Sequence, residues 1–260
     1  MPDTFQFINF EKSDRVTTIT LNRPAVMNAI NPEMHAELQA AFDDFAADPD
    51  QFVAVVTGAG ERAFCAGSDL KVLDRHGRYP KNGYAGLIER YDLVKPVIAA
   101  VNGLALGGGF EIALACDVII AAETASFGLP EPLVGAVALG GGLHRLPRQI
   151  GLKQAMGLIL SSRRVSAEEG FRMGFVTEVV PAGELGAAVA RWCADILRAS
   201  PMSIRASKET VMRGLAEPDV EAAMRSQPTY PAYAAWRESE DAREGPAAFA
   251  EKRPPIWKGR

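Results

Sequence analysis

Two glutamates and two glycine turns are the residues of this sequence whose types and spacing could do chemistry. Glu111 stands in an otherwise apolar run with Phe110, Ile112, Ala113, Leu114 and Ala115. A carboxylate buried without a partner is unfavourable, so such a residue is expected to be paired or functional. Glu131 follows Phe127-Gly128-Leu129-Pro130 and precedes another apolar stretch. Each glutamate could also serve simply as a helix cap or an arginine partner. The glycines Gly107, Gly108 and Gly109 lie between a predicted strand and a predicted helix, where free backbone N–H groups face an anion. Close packing alone is an equally good reason for glycine at such a junction. A second glycine turn, Phe64 to Asp69, is read as the start of another helix. Two such turns on neighbouring strands aim two N–H groups at one oxygen, an oxyanion hole in which each donor is typically worth ~3 kcal/mol in the transition state.

Other site types lack their residues. The sequence has no Gly-x-x-x-x-Gly-Lys-[Ser/Thr] phosphate loop and no Gly-x-Ser-x-Gly nucleophile turn. The spacing of a dinucleotide fingerprint is missing from the glycine cluster. His35, His76 and His144 have no mutual spacing suited to a metal, so no metal and no histidine mechanism is expected. Cys65, Cys116 and Cys193 are odd in number and far apart. They suggest a reduced compartment rather than a disulfide framework.

The elements that must position these groups can be read from the pattern. Phe5 to Phe10 and Val16 to Leu21 alternate as a hairpin. Asn31-Pro32-Glu33 starts a helix that carries Met34, Leu38, Ala41, Phe42 and Phe45 on one face and ends near Asp48-Pro49. Phe52 to Thr57, Val97 to Val101 and Asp117 to Ala121 read as buried strands, with a helix from Gly108 to Ala115. This alternation predicts an α/β core with a parallel sheet. Residues 74–86 are polar and glycine-rich, as in a mobile loop. Beyond Val180 the chain reads as helices over Glu184 to Ala199, Ser203 to Arg213, Val220 to Trp236 and Glu238 to Ala250. A core over 1–195 with a helical cap or oligomerisation region over 196–260 follows.

The 260 residues are 48% hydrophobic and 23% charged, enough for a sizeable core. The net charge of -4 gives no general reason to bind nucleic acid or an anionic membrane. The apolar stretch Val97 to Ala122 is broken by Asn102, Glu111 and Asp117, which marks a buried segment rather than a membrane span. The first fifteen residues carry no apolar run of a signal peptide. A cytoplasmic protein is expected.

Longer blocks carry a resemblance. The run KPVIAAVNGLALGGGFE (Lys95 to Glu111) is similar to the signature of the crotonase superfamily of enoyl-CoA hydratases and isomerases. AFCAGSD (Ala63 to Asp69), FGLPE (Phe127 to Glu131), Asn22-Arg23-Pro24 with Asn28-Ala29, and Glu244-Gly245 with Lys252-Arg253 match its other blocks in order. The resemblance covers nearly the whole chain. The tail from Ser239 to Arg260 is especially similar to the carnitinyl-CoA dehydratase branch.

The resemblance implies a crotonase-like fold, a spiral of ββα units with a helical C-terminal trimerisation region, assembled as a homotrimer or homohexamer. It implies an acyl-CoA thioester substrate, with coenzyme A as part of the substrate and no separate cofactor. The thioester oxygen would be held by the backbone N–H groups of Ser68 and Gly108. Glu111 and Glu131 match the hydratase pair, one activating water and the other delivering a proton to the alpha carbon. Syn addition of water uses a base and an acid on one side of the double bond, and mutual repulsion keeps one carboxyl protonated. Ala66, Gly67, Asp69, Leu70 and Lys71 match the turn along the CoA path. Phe249 and Lys252 match positions that approach CoA from a neighbouring subunit. Leu139 replaces a small residue near the place where hydratases hold water; it keeps the peptide N–H but adds bulk to the acyl pocket. Hydration of a 2-enoyl-CoA is the leading expectation. Carnitinyl-CoA dehydration, double-bond isomerisation and non-catalytic acyl-CoA binding are the alternatives. Tyr79 and Tyr84, in the loop around 70–88 expected to contact the acyl group, do not by themselves make an aromatic cage.

Overall fold

The computed structural model describes residues 5–72 and 79–260. Part of the expected loop over 74–86, through residue 78, lies outside the described residues. The chain opens with β1 (Ile8–Ser13) and β2 (Val16–Leu21), an antiparallel hairpin whose register pairs Ile8 with Leu21. Helix α1 (Pro32–Ala47) begins where the sequence predicts: the Asn31 side chain accepts a hydrogen bond from the Met34 N–H at 3.0 Å, with proline at the first helical position. Its inward face carries Met34, Leu38, Ala41, Phe42 and Phe45, joined by His35.

Three further strands, β3 (Val53–Gly58), β5 (Val97–Val101) and β7 (Val118–Ala122), continue the sheet in parallel, and β10 (Glu178–Val180) ends it. Their side chains are buried on both sides, as parallel strands require. Ala54, Val56, Ala99, Val101 and Ala121 face the main core, while Val53, Val55, Ile98, Ala100, Ile120 and Ala122 face a second core. Helix α6 (Leu185–Leu197) covers that second face with Leu185, Ala188 and Cys193. The position that separates the expected core from the expected helical region falls inside this helix.

A second sheet was not legible in the sequence. It contains β4 (Ala63–Cys65), β6 (Leu104–Leu106), β8 (Ser126–Gly128) and β9 (Val165–Ser166), in that order. Its strands are two or three residues long, too short for an alternating pattern to register. Each pass therefore sends one strand to the large sheet and one to the small sheet: β3 then β4, β5 then β6, β7 then β8. After β6 comes α2 (Gly108–Ala115), which completes the ββα unit of a crotonase fold. Helices α3 (Gly142–Ile150), α4 (Leu152–Ser161) and α5 (Ala167–Met173) follow and were likewise not expected.

The C-terminal helices are α7 (Pro201–Gly214), α8 (Val220–Ser226), α9 (Pro231–Glu238) and α10 (Glu240–Ala250). The single helix read over Val220 to Trp236 is in fact two. Pro228 and Pro231 bear no N–H and restrict the residues before them, so a short 3-10 turn, Gln227–Thr229, separates α8 from α9. The described residues of the turn from Ala66 to Val72 are not themselves helical, and the residues after Val72 where the expected helix would run lie outside the described residues; Ser68 forms an isolated bridge with Ile30. No helix among the described residues is long and apolar enough to cross a membrane.

The block Asn22 to Ala29 ties the layers together. Asn28 is fully buried in a left-handed conformation (φ 55°). Its side chain accepts from the Arg23 N–H at 3.0 Å and donates to the carbonyls of Ala59 at 3.1 Å and Ala63 at 2.8 Å. Replacing Asn28 by Ala strands these buried groups in a conformation that asparagine tolerates better than alanine. Urea denaturation of Asn28→Ala is expected to show a loss of about 2–4 kcal/mol.

Candidate active site

Backbone strain and close approach bring the two glycine turns together. Gly107 adopts φ 54° and ψ -127°, which turns the chain sharply out of β6 and into α2. A side chain at Gly67 would place a Cβ 2.9 Å from the Leu106 carbonyl oxygen and 3.3 Å from the Gly108 nitrogen. Only glycine lets these backbones meet at this distance. Gly108 is the first residue of α2, so its N–H has no acceptor within the helix.

The Ser68 N–H is freed by a different device. In the parallel bridge, Ile30 donates to the Gly67 carbonyl at 2.8 Å and accepts from the Asp69 N–H at 2.9 Å. The Ser68 peptide between them faces away from Ile30, and its N–H has no protein acceptor among the described residues. Arg23 secures this turn, donating to the Ala29 carbonyl at 2.5 Å and pairing with Asp69 at 3.0 Å. Asp69 also accepts from the Lys71 N–H at 3.2 Å, so its carboxylate works inside the turn. Two unspent N–H groups, at Ser68 and Gly108, thus lie on adjoining backbones at the positive end of a helix, where an oxyanion is favoured.

Glu111 projects from the first turn of α2 and is 3% exposed. Its Oε1 accepts from the Gly142 N–H at 2.9 Å. The turn before α3 wraps the carboxyl so closely that a methyl at Gly140 would overlap Oε2 and one at Gly142 would lie 3.0 Å from Oε1. Burial pushes the Glu111 carboxyl up to about 7; the Gly142 and Gly140 peptides and the Arg145 charge pull against this, and the Glu131 charge adds to the rise.

Glu131 begins a short 3-10 turn, Glu131–Val134, immediately after β8. Its Oε1 lies 2.9 Å from where a Cβ of Gly107 would stand, beside the two free N–H groups. Its Oε2 is buried without a hydrogen-bond partner among the described residues. Burial also raises the Glu131 carboxyl above its ordinary range. Neither glutamate is neutralised by an arginine or lysine among the described residues, and neither serves as a helix N-cap. Two carboxyls of raised affinity for protons beside a pair of oriented N–H donors are the parts that acid–base chemistry around one oxygen would use.

The remaining sequence-predicted residues are distributed unevenly. Ala66, Gly67, Leu70 and Lys71 lie on the Ser68 turn, with Leu70 and Lys71 exposed. Leu139 is 81% exposed, and its N–H donates to the Val137 carbonyl at 2.9 Å. The peptide N–H that leucine keeps is thus spent within the turn, and the donor that reaches Glu111 is the Gly142 N–H. Phe249 and Lys252, at the end of α10, are exposed, and α10 packs on α7 and α9 rather than against the site. Sequence reasoning missed Arg145, which donates to the Ile88 carbonyl at 2.6 Å and touches the Gly141 turn. It also missed the packing of Tyr84 against Gly108. The signal for Tyr84 was its setting between Gly83 and Gly86. Tyr79, Tyr84 and His35 meet edge to face, with centroids 4.5–5.6 Å apart, so their rings pack on one another.

Fold and site together define a crotonase-type protein with two unspent peptide N–H groups flanked by two carboxyls. The family profile described as enoyl-CoA hydratase/isomerase matches residues 11–260, and the chain belongs to that family. A carnitinyl-CoA dehydratase of Salmonella typhi is 43% identical over 260 residues, covering 97% of this chain and 98% of the relative. The crystal structure of an enoyl-CoA hydratase from Mycobacterium marinum superposes with a TM-score of 0.90 at 38% identity, covering 98% of this chain and 99% of that one. That of a carnitinyl-CoA hydratase from Mycobacterium avium gives 0.77 at 40% identity, with 99% and 100% covered.

The raised affinity of Glu111 for a proton has a consequence for stability. The folded state prefers the neutral carboxyl, so this contribution is full below the ordinary value of 4.5 and is lost as pH rises through about 7. The loss approaches about 3 kcal/mol by pH 8. Glu111→Gln is expected to gain stability relative to the wild type between pH 5 and pH 8, as read by urea denaturation of both proteins at each pH.

Proposed function

We propose that this protein is an acyl-CoA hydro-lyase that interconverts a 3-hydroxyacyl-CoA and its 2-enoyl-CoA by removing or adding water. The observation that carries this reading is the placement of Glu111 and Glu131 beside two adjoining unspent peptide N–H groups. In the hydration direction the thioester oxygen sits between the Ser68 and Gly108 N–H groups. Ionised Glu111 takes a proton from water as the oxygen adds to the beta carbon. Negative charge moves onto the thioester oxygen, where the two donors stabilise it. Glu131, nearer the hole, delivers its proton to the alpha carbon on the same side. Dehydration runs the same steps in reverse.

For the acyl group, the carnitinyl-CoA dehydratase branch is the reading that the 43% identity over nearly the full length supports best, together with the tail from Ser239 to Arg260. Leu139, where many hydratases have a small residue, fits an acyl pocket different from that of a simple crotonyl-type hydratase. Unsubstituted 2-enoyl-CoA hydration is the second reading, favoured by solved relatives such as the enoyl-CoA hydratase of Mycobacterium marinum. In either case Ala66 to Lys71 would line the CoA path. Phe249 and Lys252, exposed at the end of α10, would reach CoA bound to a neighbouring copy in a trimer or hexamer.

The test follows the enoyl-thioester absorbance with crotonobetainyl-CoA and crotonyl-CoA side by side. Faster loss with crotonobetainyl-CoA is expected, falling at least ~100-fold in both Glu111→Gln and Glu131→Gln. Faster loss with crotonyl-CoA would replace the first acyl reading by the second, and no turnover of either would overturn the hydro-lyase reading. Water addition releases no proton, and both directions start from a pair that holds one proton between two carboxyls. Hydration and dehydration should therefore share one bell-shaped pH profile, with one limb where Glu111 titrates, about 7.

A further inference from the structure

Neither carboxyl explains how the two oxyanion donors keep their spacing. They belong to separate turns, and one of these, Ala66 to Val72, has no regular secondary structure. The space beside them is filled by Tyr84. Its ring lies against the Gly108 Cα: a methyl there would overlap the phenol Cζ and hydroxyl and come within 2.6 Å of Cε1. The Ser68 hydroxyl donates to the phenol oxygen at 3.2 Å. One side chain, 3% exposed, therefore touches both donor-bearing residues.

The segment that carries Tyr84 is strained in a way that needs an explanation. Gly83, Ala85 and Gly86 all have left-handed φ values of 74°, 56° and 60°. Ala85 adopts a region that costs a residue with a Cβ measurable free energy. The surroundings hold it there. The Ala85 N–H donates to His35 Nδ1 at 3.0 Å, Arg90 Nε donates to the Gly86 carbonyl at 2.8 Å, and Asn82 and Gln39 exchange hydrogen bonds at 3.0 and 2.8 Å. The His35 ring meets the Tyr84 ring edge to face at 4.5 Å. The effect of the strain is to turn Tyr84 inward onto the hole. Burial, and then the neighbouring Cys65, Tyr79 and Glu111, raise the phenol well above its ordinary value, so it stays neutral.

We propose that Tyr84 is a positioning residue of the thioester site, fixing the separation of the Ser68 and Gly108 N–H groups by packing on one turn and hydrogen bonding to the other. The inference rests on the proposed hydro-lyase reading for its importance to rate, but not for its geometry. A hydrogen bond to a developing oxyanion depends steeply on donor placement, so the effect should fall on the chemical step more than on CoA binding.

The test separates the two readings. Saturated butyryl-CoA labelled with carbon-13 at the carbonyl cannot be hydrated, and its carbonyl stretching band reports the hole without turnover. On binding the wild type the band should drop below that of the free thioester. In Tyr84→Phe it should return at least about halfway, with kcat for the enoyl substrate down about tenfold and KM within about twofold. Ser68→Ala keeps the peptide donor and removes the other end of the hydrogen bond, so it should move the band in the same direction. It decides the matter if Tyr84→Phe does not fold. A band unchanged in Tyr84→Phe would overturn the proposal, whatever happened to the melting temperature, and so would a wild-type band that does not shift on binding. A shifted, Tyr84-dependent band without turnover of any enoyl-CoA would leave the positioning role standing and remove the hydro-lyase reading.

Discussion

The architecture around the site depends on one close approach, that of the Gly67 and Gly108 backbones. Peptide N–H groups normally find acceptors in helices and strands, and a pair left open side by side is rare because unsatisfied donors are costly. Here the two openings arise from unlike causes. One is the unavoidable orphan at the start of α2; the other is a peptide turned outward by a single bridge to Ile30. Placing both at one point requires β4 and β6 to run parallel as neighbours, with turns at the same end. The small sheet provides that alignment, and the large sheet beside it fixes the spacing of the passes.

The carboxyls follow from the same geometry. Glu111 is one turn along the helix whose first N–H is one of the two unspent donors, so its position is set once α2 is set. Glu131 comes from the turn after β8, the next strand of the small sheet. Burial raises the proton affinity of both, and the glycine turn before α3 supplies Glu111 with peptide donors without supplying a cation. A carboxyl that is hydrogen-bonded but not neutralised stays poised between its two protonation states near neutral pH.

Much of this could be read from the residues alone, and what could not has physical reasons. The Asn31 cap, the inward face of α1, the three long parallel strands and the limits of α2 follow from propensity and periodicity acting over five residues or more. The strands of the small sheet are too short to carry a period, and their identity is set by the neighbours they pair with. Glu111 was legible because a charge in an apolar run is conspicuous. The freedom of the Ser68 N–H was not, since it depends on which side of a bridge a peptide faces. Nor could the sequence indicate that the Leu139 N–H is spent on Val137 while Gly140 and Gly142 turn toward Glu111. Pro228 and Pro231 were visible as helix breakers, yet the helical pattern across them read as one segment.

The donors at Ser68 and Gly108 are main-chain atoms, and this has a bearing on how such a scaffold changes over time. Residue replacement can erase a side chain in a single step, but no exchange of one non-proline residue for another removes a peptide N–H. The carboxyls at positions 111 and 131 are therefore the exchangeable parts, and the pair of open peptide donors is the heritable one. A descendant that lost either glutamate would still present the two peptide donors side by side, available to whatever new group appeared beside them. Diversification in this architecture is thus expected to run through exchange of the side chains around a retained pair of main-chain donors, rather than through loss of the donors.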